Sequence, residues 1–218
     1  MIQTVIFDMD GVIVDTEPLH HFAYHLHFDD LNIKVSPEMY ATFTGFSTRN
    51  TYEKLKEQFA IPYEVAELVD RKRELFNEAF DKKEDLFLLE GVDTLIRDLF
   101  SNGMQLVLAS SSAKVTIERV FTRFRLHHYF THIISGEDFP KSKPDPAIFI
   151  EAARLSGTPV ENCIVIEDSA NGVKAAKSAG IYCVGYVSPN SKLQDLSLAD
   201  KIISHFNELD FEKVKRLR

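Results

Sequence analysis

Five short apolar runs limit what this chain can fold into: "TVIFD" at 4–8, "QLVLA" at 105–109, "HII" at 132–134, "CIVIED" at 163–168 and "CVGYV" at 183–187. Four are rich in Val and Ile, and none alternates strictly between apolar and polar residues. That is the signature of parallel strands buried on both faces. Amphipathic stretches separate them. "SAKVTIERVFTRF" (112–124) sets Val115, Ile117, Val120, Phe121 and Phe124 at near-helical spacing. "DPAIFIEAARLSG" (145–157) opens with Asp145 at an expected N-cap and Pro146 at N1 and closes on Gly157, and "SANGVKAAKSAG" (169–180) closes on Gly180. Strands alternating with helices predict an α/β fold with a doubly wound, Rossmann-like parallel sheet.

One region breaks the alternation. From Thr16 to Glu84 the chain offers only helical patterns, the clearest being "PYEVAELVDRKRELFNEAFDKK" (62–83), with Val65, Leu68, Val69, Leu75, Phe76, Ala79 and Phe80 on one stripe. So long an insertion after strand one is not a simple crossover. It predicts a helical cap domain over 16–84, joined to a catalytic core made of 1–15 and 85–218.

Composition removes several partners. The 218 residues are 44% hydrophobic and 27% charged, with a formal net charge of −8, so there is no basic excess to neutralise nucleic-acid phosphates or to seek anionic membranes. No apolar run approaches the ~18 residues of a membrane span, and Met1 leads almost directly into the first strand, leaving no room for a signal segment. Cys163 and Cys183 each lie within an apolar run and read as buried free thiols of a reducing compartment. A cytoplasmic protein is expected.

Ligands of open α/β sheets bind at the carboxyl ends of the strands. Those ends carry Asp8 and Asp10, then Ser110, Ser111 and Ser112, then Lys141 and Lys143 a few residues past the third strand, then Glu167 and Asp168. Side chains at i and i+2 of a strand point the same way, so Asp8 and Asp10 are expected to face one site. Four acidic groups on one rim repel unless a cation lies among them, and an all-oxygen set favours Mg²⁺ over zinc. The helix N-terminus after the serine turn suits a phosphate, and Lys143 adds positive charge. Metal, anion donors and a carboxylate together describe phosphoryl transfer. One carboxylate can attack phosphorus while its neighbour, their titrations coupled, acts as general acid and base.

In these motifs the sequence resembles the haloacid dehalogenase superfamily, in the branch of sugar-phosphate phosphatases and β-phosphoglucomutases. "DMDGVIVD" (8–15), Ser110 in "LASSS", Lys143 in "KSKPDP" and "IEDSANG" (166–172) are similar to its four motifs in order. The resemblance implies that Asp8 is the nucleophile of an aspartyl-phosphate and Asp10 the general acid/base. Mg²⁺ is then held by Asp8, the Asp10 carbonyl, Glu167 and Asp168. Ser110, with Ser111 beside it, and Lys143 hold the phosphoryl group, and Thr16 lies in the hinge. In the cap, His20 stands where mutases carry a histidine that contacts Asp10, and Lys72 where they carry a substrate-facing lysine. Lys72 is also singled out by its place on the apolar stripe. Arg49 in "TGFSTRN" (44–50) falls one residue later than a mutase arginine.

The implied function is Mg²⁺-dependent hydrolysis of a small phosphate monoester, a sugar phosphate; the alternative is a β-phosphoglucomutase passing the same phosphoryl group to a sugar hydroxyl. A monomer is expected, since the cap must open and close. A phospho-receiver module would be shorter and would lack the cap and Asp10, and a dehalogenase would not need Glu167 and Asp168. Plain readings stand beside some assignments: a helix cap for the serines, surface positions for Arg49 and Lys143, a lysine snorkelling from its stripe for Lys72. His21 and His25 have the spacing of a metal pair, but no third ligand accompanies them and a solvated helix face is expected.

Overall fold

A computed structural model describes residues 1–190 and 193–217. The first strand, β1 (Thr4–Phe7), is followed by four helices, α1 (Glu17–Asp30), α2 (Pro37–Ala41), α3 (Thr48–Phe59) and α4 (Val65–Lys82). Then come α5 (Val92–Ser101), β2 (Gln105–Ser110), α6 (Lys114–Phe124), β3 (His132–Ser135) and α7 (Ala147–Ser156). The chain continues through β4 (Cys163–Glu167), α8 (Ala170–Ser178), β5 (Tyr182–Tyr186), β6 (Lys201–Ile203) and α9 (Phe211–Val214). The pairings between these strands are parallel, and the sheet order is β3-β2-β1-β4-β5-β6. This is a doubly wound arrangement whose strand order reverses beside β1, so β1 opens at the switch point where such sheets bind ligands.

The unbroken apolar runs are explained by burial on both sides. Val5, Phe7, Leu106, Leu108, Ile164 and Ile166 pack into one layer with α5 and α6. Ile6, Val107, Ala109, Cys163 and Val165 face the opposite layer with α7 and α8. The four inserted helices share a third cluster around Tyr24, Phe28, Tyr52, Leu55 and Leu68, while Leu19, Ala23, Leu75, Phe76 and Phe80 join the main core. The insertion is therefore a helical cap rooted in the sheet domain it covers.

Three details differ from the sequence reading. A sixth strand, Lys201–Ile203, extends the sheet beyond β5; at three residues it is too short for a periodicity signal. Helix α7 begins at Ala147, with Pro146 at its N-cap, and Asp145 Oδ1 accepts from the Ala147 N–H at 3.0 Å. Strand β1 stops at Phe7, so Asp8 and Asp10 leave in a turn, with the N–H groups of Ile13 and Val14 returning to the Met9 carbonyl at 2.8 and 3.1 Å. Among the described residues, no helix is long and apolar enough to cross a membrane, and both cysteines are buried free thiols.

Candidate active site

Side chains from five places along the chain meet where β1, β2 and β4 end beneath the cap. Lys143, only 2% exposed, extends Nζ to Asp8 Oδ1 at 2.5 Å, to Glu167 Oε1 at 2.7 Å and to the Ala109 carbonyl at 3.1 Å. Burial works to lower the pKa of the ammonium, but Asp8 and Glu167 outweigh it and raise the pKa above its ordinary value. Burial likewise pushes Asp8 up, to about 8, even though Lys143 pulls it down.

Asp8, Glu167 and Asp168 are all buried and can bring carboxylate oxygens within 4.8 Å of one another. Three buried carboxylates against one ammonium leave an excess of negative charge where desolvation is costly. The set is all oxygen, and it fits a hard divalent cation. Two glycines let it assemble. A Cβ on Gly11, which sits at φ +79°, would fall 2.1 Å from Asp168 Oδ2, and one on Gly172 would fall 1.8 Å from Glu167 Oε1. Glu167 is further held through Oε2, which accepts from the N–H groups of Asp168 and Ser169 and from the Ser169 hydroxyl, each at 3.0 Å.

Asp10 belongs to a different set of contacts. Its Oδ1 accepts a short hydrogen bond from the Thr16 hydroxyl and lies 3.4 Å from His20 Nε2. Its Oδ2 accepts from the Ser112 hydroxyl at 2.7 Å and is 3.5 Å from that of Ser110. Thr16 occupies the N-cap of α1 without capping it, because its hydroxyl is turned to Asp10. Burial works to raise the pKa of Asp10, but His20, Thr16 and Ser112 outweigh it and hold the carboxyl well below its usual range. His20 is itself kept below its ordinary value by burial and by Lys72. At neutral pH its bond is therefore a neutral N–H donating to a carboxylate. The coupled aspartates thus split with Asp8 as the member of high proton affinity and Asp10 ionised.

The remaining expected residues are spread around this centre. Ser111 and Ser112 both line the cavity under the cap, with Asp8, Asp10, His20, Tyr24, Thr44 and Asp168. Ser111, however, donates to the cap's Gly45 carbonyl at 2.7 Å, and it is Ser112 that meets Asp10. The sequence motif singles out Ser110 and Ser111, whereas the contact of Ser112 with Asp10 depends on the turn after β2. Lys72 is buried and stands behind His20, its Nζ 2.7 Å from Nδ1. Arg49 is exposed near the start of α3 and lines a neighbouring side cavity. His21 and His25 stack on each other at 3.9 Å between ring centroids. The cap is closed on the core: Asn171 Nδ2 donates to the Thr44 carbonyl at 2.8 Å and Asn50 Oδ1 accepts from the Ser142 N–H at 2.8 Å.

A buried ammonium beside clustered acids, with a second carboxylate poised across the same cavity, defines a site for phosphoryl transfer at the open end of a doubly wound sheet. Residues 5–186 match the family described as haloacid dehalogenase-like hydrolase, and the chain belongs to that family. It is 29% identical over 215 residues to a β-phosphoglucomutase of Bacillus subtilis, covering 96% of this chain and 92% of that one. It is 31% identical over 184 residues to a phosphorylated carbohydrates phosphatase of Thermotoga maritima, covering 82% of each. A crystal structure of a CbbY variant from Rhodobacter sphaeroides, in complex with xylulose-(1,5)bisphosphate, superposes with a TM-score of 0.84 at 26% identity over 96% of both chains. The chain is an enzyme of phosphoryl transfer from the β-phosphoglucomutase-like branch.

Proposed function

We propose that this enzyme is a Mg²⁺-dependent phosphatase of small sugar phosphates. The observation that carries the reading is Lys143 bridging Asp8 and Glu167 at 2.5 and 2.7 Å while Thr16, His20 and Ser112 hold Asp10 across the same cavity. Asp8, whose ionised form a bound divalent cation would favour, gives its proton to solvent, attacks phosphorus and becomes an aspartyl-phosphate as the P–O bond to the sugar breaks. Asp10 is ionised in the free enzyme. The like charge of an entering phosphate raises its proton affinity, so it takes up one proton from solvent as substrate binds and gives that proton to the departing sugar oxygen. Water then attacks the aspartyl-phosphate, Asp10 takes its proton, and phosphate leaves with Asp8 regenerated. The Lys143 ammonium and the hydroxyl of Ser110, with the Ser111 turn beside it, hold the phosphoryl oxygens. A magnesium ion, when bound by Asp8, Glu167, Asp168 and the Asp10 carbonyl, would neutralise charge on those oxygens.

Supporting the sugar-phosphate assignment are the relative that is a phosphorylated carbohydrates phosphatase and a cavity beneath the cap lined by Tyr24, Tyr40 and Phe43 together with Thr44 and Thr48. The two cysteines left as thiols support a cytoplasmic setting, and the reading takes the enzyme as a monomer whose cap opens to admit substrate.

Mutase chemistry is the second reading, favoured by the contact of His20 with Asp10 and Lys72. Incubation with Mg²⁺, β-glucose 1-phosphate and a trace of glucose 1,6-bisphosphate, followed by ³¹P NMR, separates them. Inorganic phosphate as the main product supports hydrolysis, and glucose 6-phosphate with little inorganic phosphate establishes the mutase. A panel of other sugar monophosphates then tests substrate choice. No turnover of any of them would overturn the sugar-phosphate assignment.

A further inference from the structure

Beside the catalytic cavity lies a second one of about 220 Å³, sharing Thr48 and Ser111 with it and lined further by Arg49, Asp70, Arg73, Ala113, Gly136 and Glu137. Its walls suit an anion. Arg49 and Arg73 come from the cap, and helix α6 begins there with Ala113 at its N-cap, a residue with no side chain to cap the helix. The free N–H groups and positive dipole end of such a helix attract negative charge.

The protein supplies that charge itself. Glu137 Oε2 accepts the Lys114 N–H at 2.8 Å, and Glu137 Oε1 accepts from Arg73 Nη2 at 2.5 Å. One carboxylate thus caps α6 from another element and pairs with an arginine of the cap. Its position is built in. The Ser135 hydroxyl receives the Glu137 N–H at 3.2 Å and donates to the Ser112 carbonyl at 2.7 Å. Gly136 packs so closely that a Cβ there would lie 2.9 Å from Ser111 Cα. Asp70 lies 3.8 Å from the other Arg73 nitrogen. Two arginines therefore face two carboxylates along this wall, and the second cavity carries no net charge.

We propose that Glu137 is a specificity-determining residue: a resident anion filling the position, in the cavity adjoining the catalytic one, that a second phosphate would otherwise take. The inference rests on the phosphatase reading and deepens it. Substrates carry a single phosphate and a neutral, hydroxyl-bearing remainder. Sugar bisphosphates are rejected because the Glu137 carboxylate already holds the Lys114 N–H and the Arg73 guanidinium and would lie directly against a second phosphate.

Calorimetry in Mg²⁺ with glucose 6-phosphate and glucose 1,6-bisphosphate, on the Asp8→Asn variant and on Asp8→Asn combined with Glu137→Gln, tests this without turnover. Removing the resident charge should raise the affinity for the bisphosphate relative to the monophosphate by roughly tenfold or more. Arg73→Ala in the same background breaks the cap-to-core ion pair but leaves the carboxylate, and should not raise that ratio. If Glu137→Gln shifts both ligands equally, or if Arg73→Ala reproduces its effect, Glu137 is only a latch and the proposal is overturned. Because binding is read in a protein that cannot turn over, this outcome is distinct from a failure of the wild type to hydrolyse sugar phosphates.

Discussion

Lys72 Nζ lies 2.7 Å from His20 Nδ1, and the opposite nitrogen of that imidazole lies 3.4 Å from Asp10 Oδ1. With Nδ1 occupied as an acceptor, the proton of neutral His20 sits on Nε2 and points at the carboxylate. A lysine from α4 thereby sets the tautomer of a histidine on α1, which steadies an aspartate of the core. The ring stacks on Phe76 at 4.3 Å, and the ammonium lies 4.5 Å from the Tyr24 ring centroid.

That position is costly. Burial brings the Lys72 pKa from an ordinary 10.5 to about 7, although Asp10 and Glu17 pull it upward. Below pH 7 both folded and unfolded chains carry the proton, and the fold bears the cost of a buried ammonium. Between pH 7 and 10.5 only the unfolded chain holds it, so this group makes stability rise with pH by up to about 1.4 kcal/mol per unit. Lys72→Met should therefore be more stable than the wild type at pH 7, with the advantage shrinking towards pH 10 in urea denaturation. A pH-independent difference would refute the buried-ammonium account. Turnover should fall in kcat more than in KM, because among the described residues His20 lines the cavity and Lys72 stands behind it.

Asp8→Asn should lower turnover by at least about 10⁴-fold, as expected when a nucleophile is removed. The companion measurement is trapping of phosphate on the protein by acid quench, which should succeed with the wild type and fail with the variant. Equal labelling of both would remove Asp8 from the nucleophile's role.

Gly172→Ala would ordinarily stabilise a helix by roughly 0.5–1 kcal/mol. Here the new methyl group lands on the Glu167 carboxylate, which must then leave Lys143 and the Ser169 N–H. The expected results are a lower melting temperature and a Mg²⁺ requirement raised roughly 10- to 100-fold, read from a titration of activity with the ion. A more stable variant with unchanged Mg²⁺ dependence would contradict the packing.

Lys143→Met leaves Asp8 and Glu167 buried without their shared ammonium. In EDTA the loss should be about 3–5 kcal/mol, measured by denaturant unfolding. Added Mg²⁺ should recover more stability in the variant than in the wild type, since the ion then offsets a larger uncompensated charge. Identical Mg²⁺ responses would argue against cation binding at this cluster.

The sequence by itself determined the layered architecture and the residues at its rim. Apolar runs such as "TVIFD" and "CIVIED" declare doubly buried strands, the helical stretch after β1 declares an insertion, and carboxylates at strand ends declare the chemistry, because each of these signals is local. Tertiary structure decided the rest. Whether Ser111 or Ser112 turns to Asp10 depends on a turn after β2, and the strand periodicity that would have paired Asp8 with Asp10 stops at Phe7. Lys72 reaches His20 across 52 positions, and Arg73 reaches Glu137 across 64. Contacts of that separation leave no periodic trace in a single chain; only when the cap packs on the core do these charges come close enough for burial and Coulomb attraction to set what each one does.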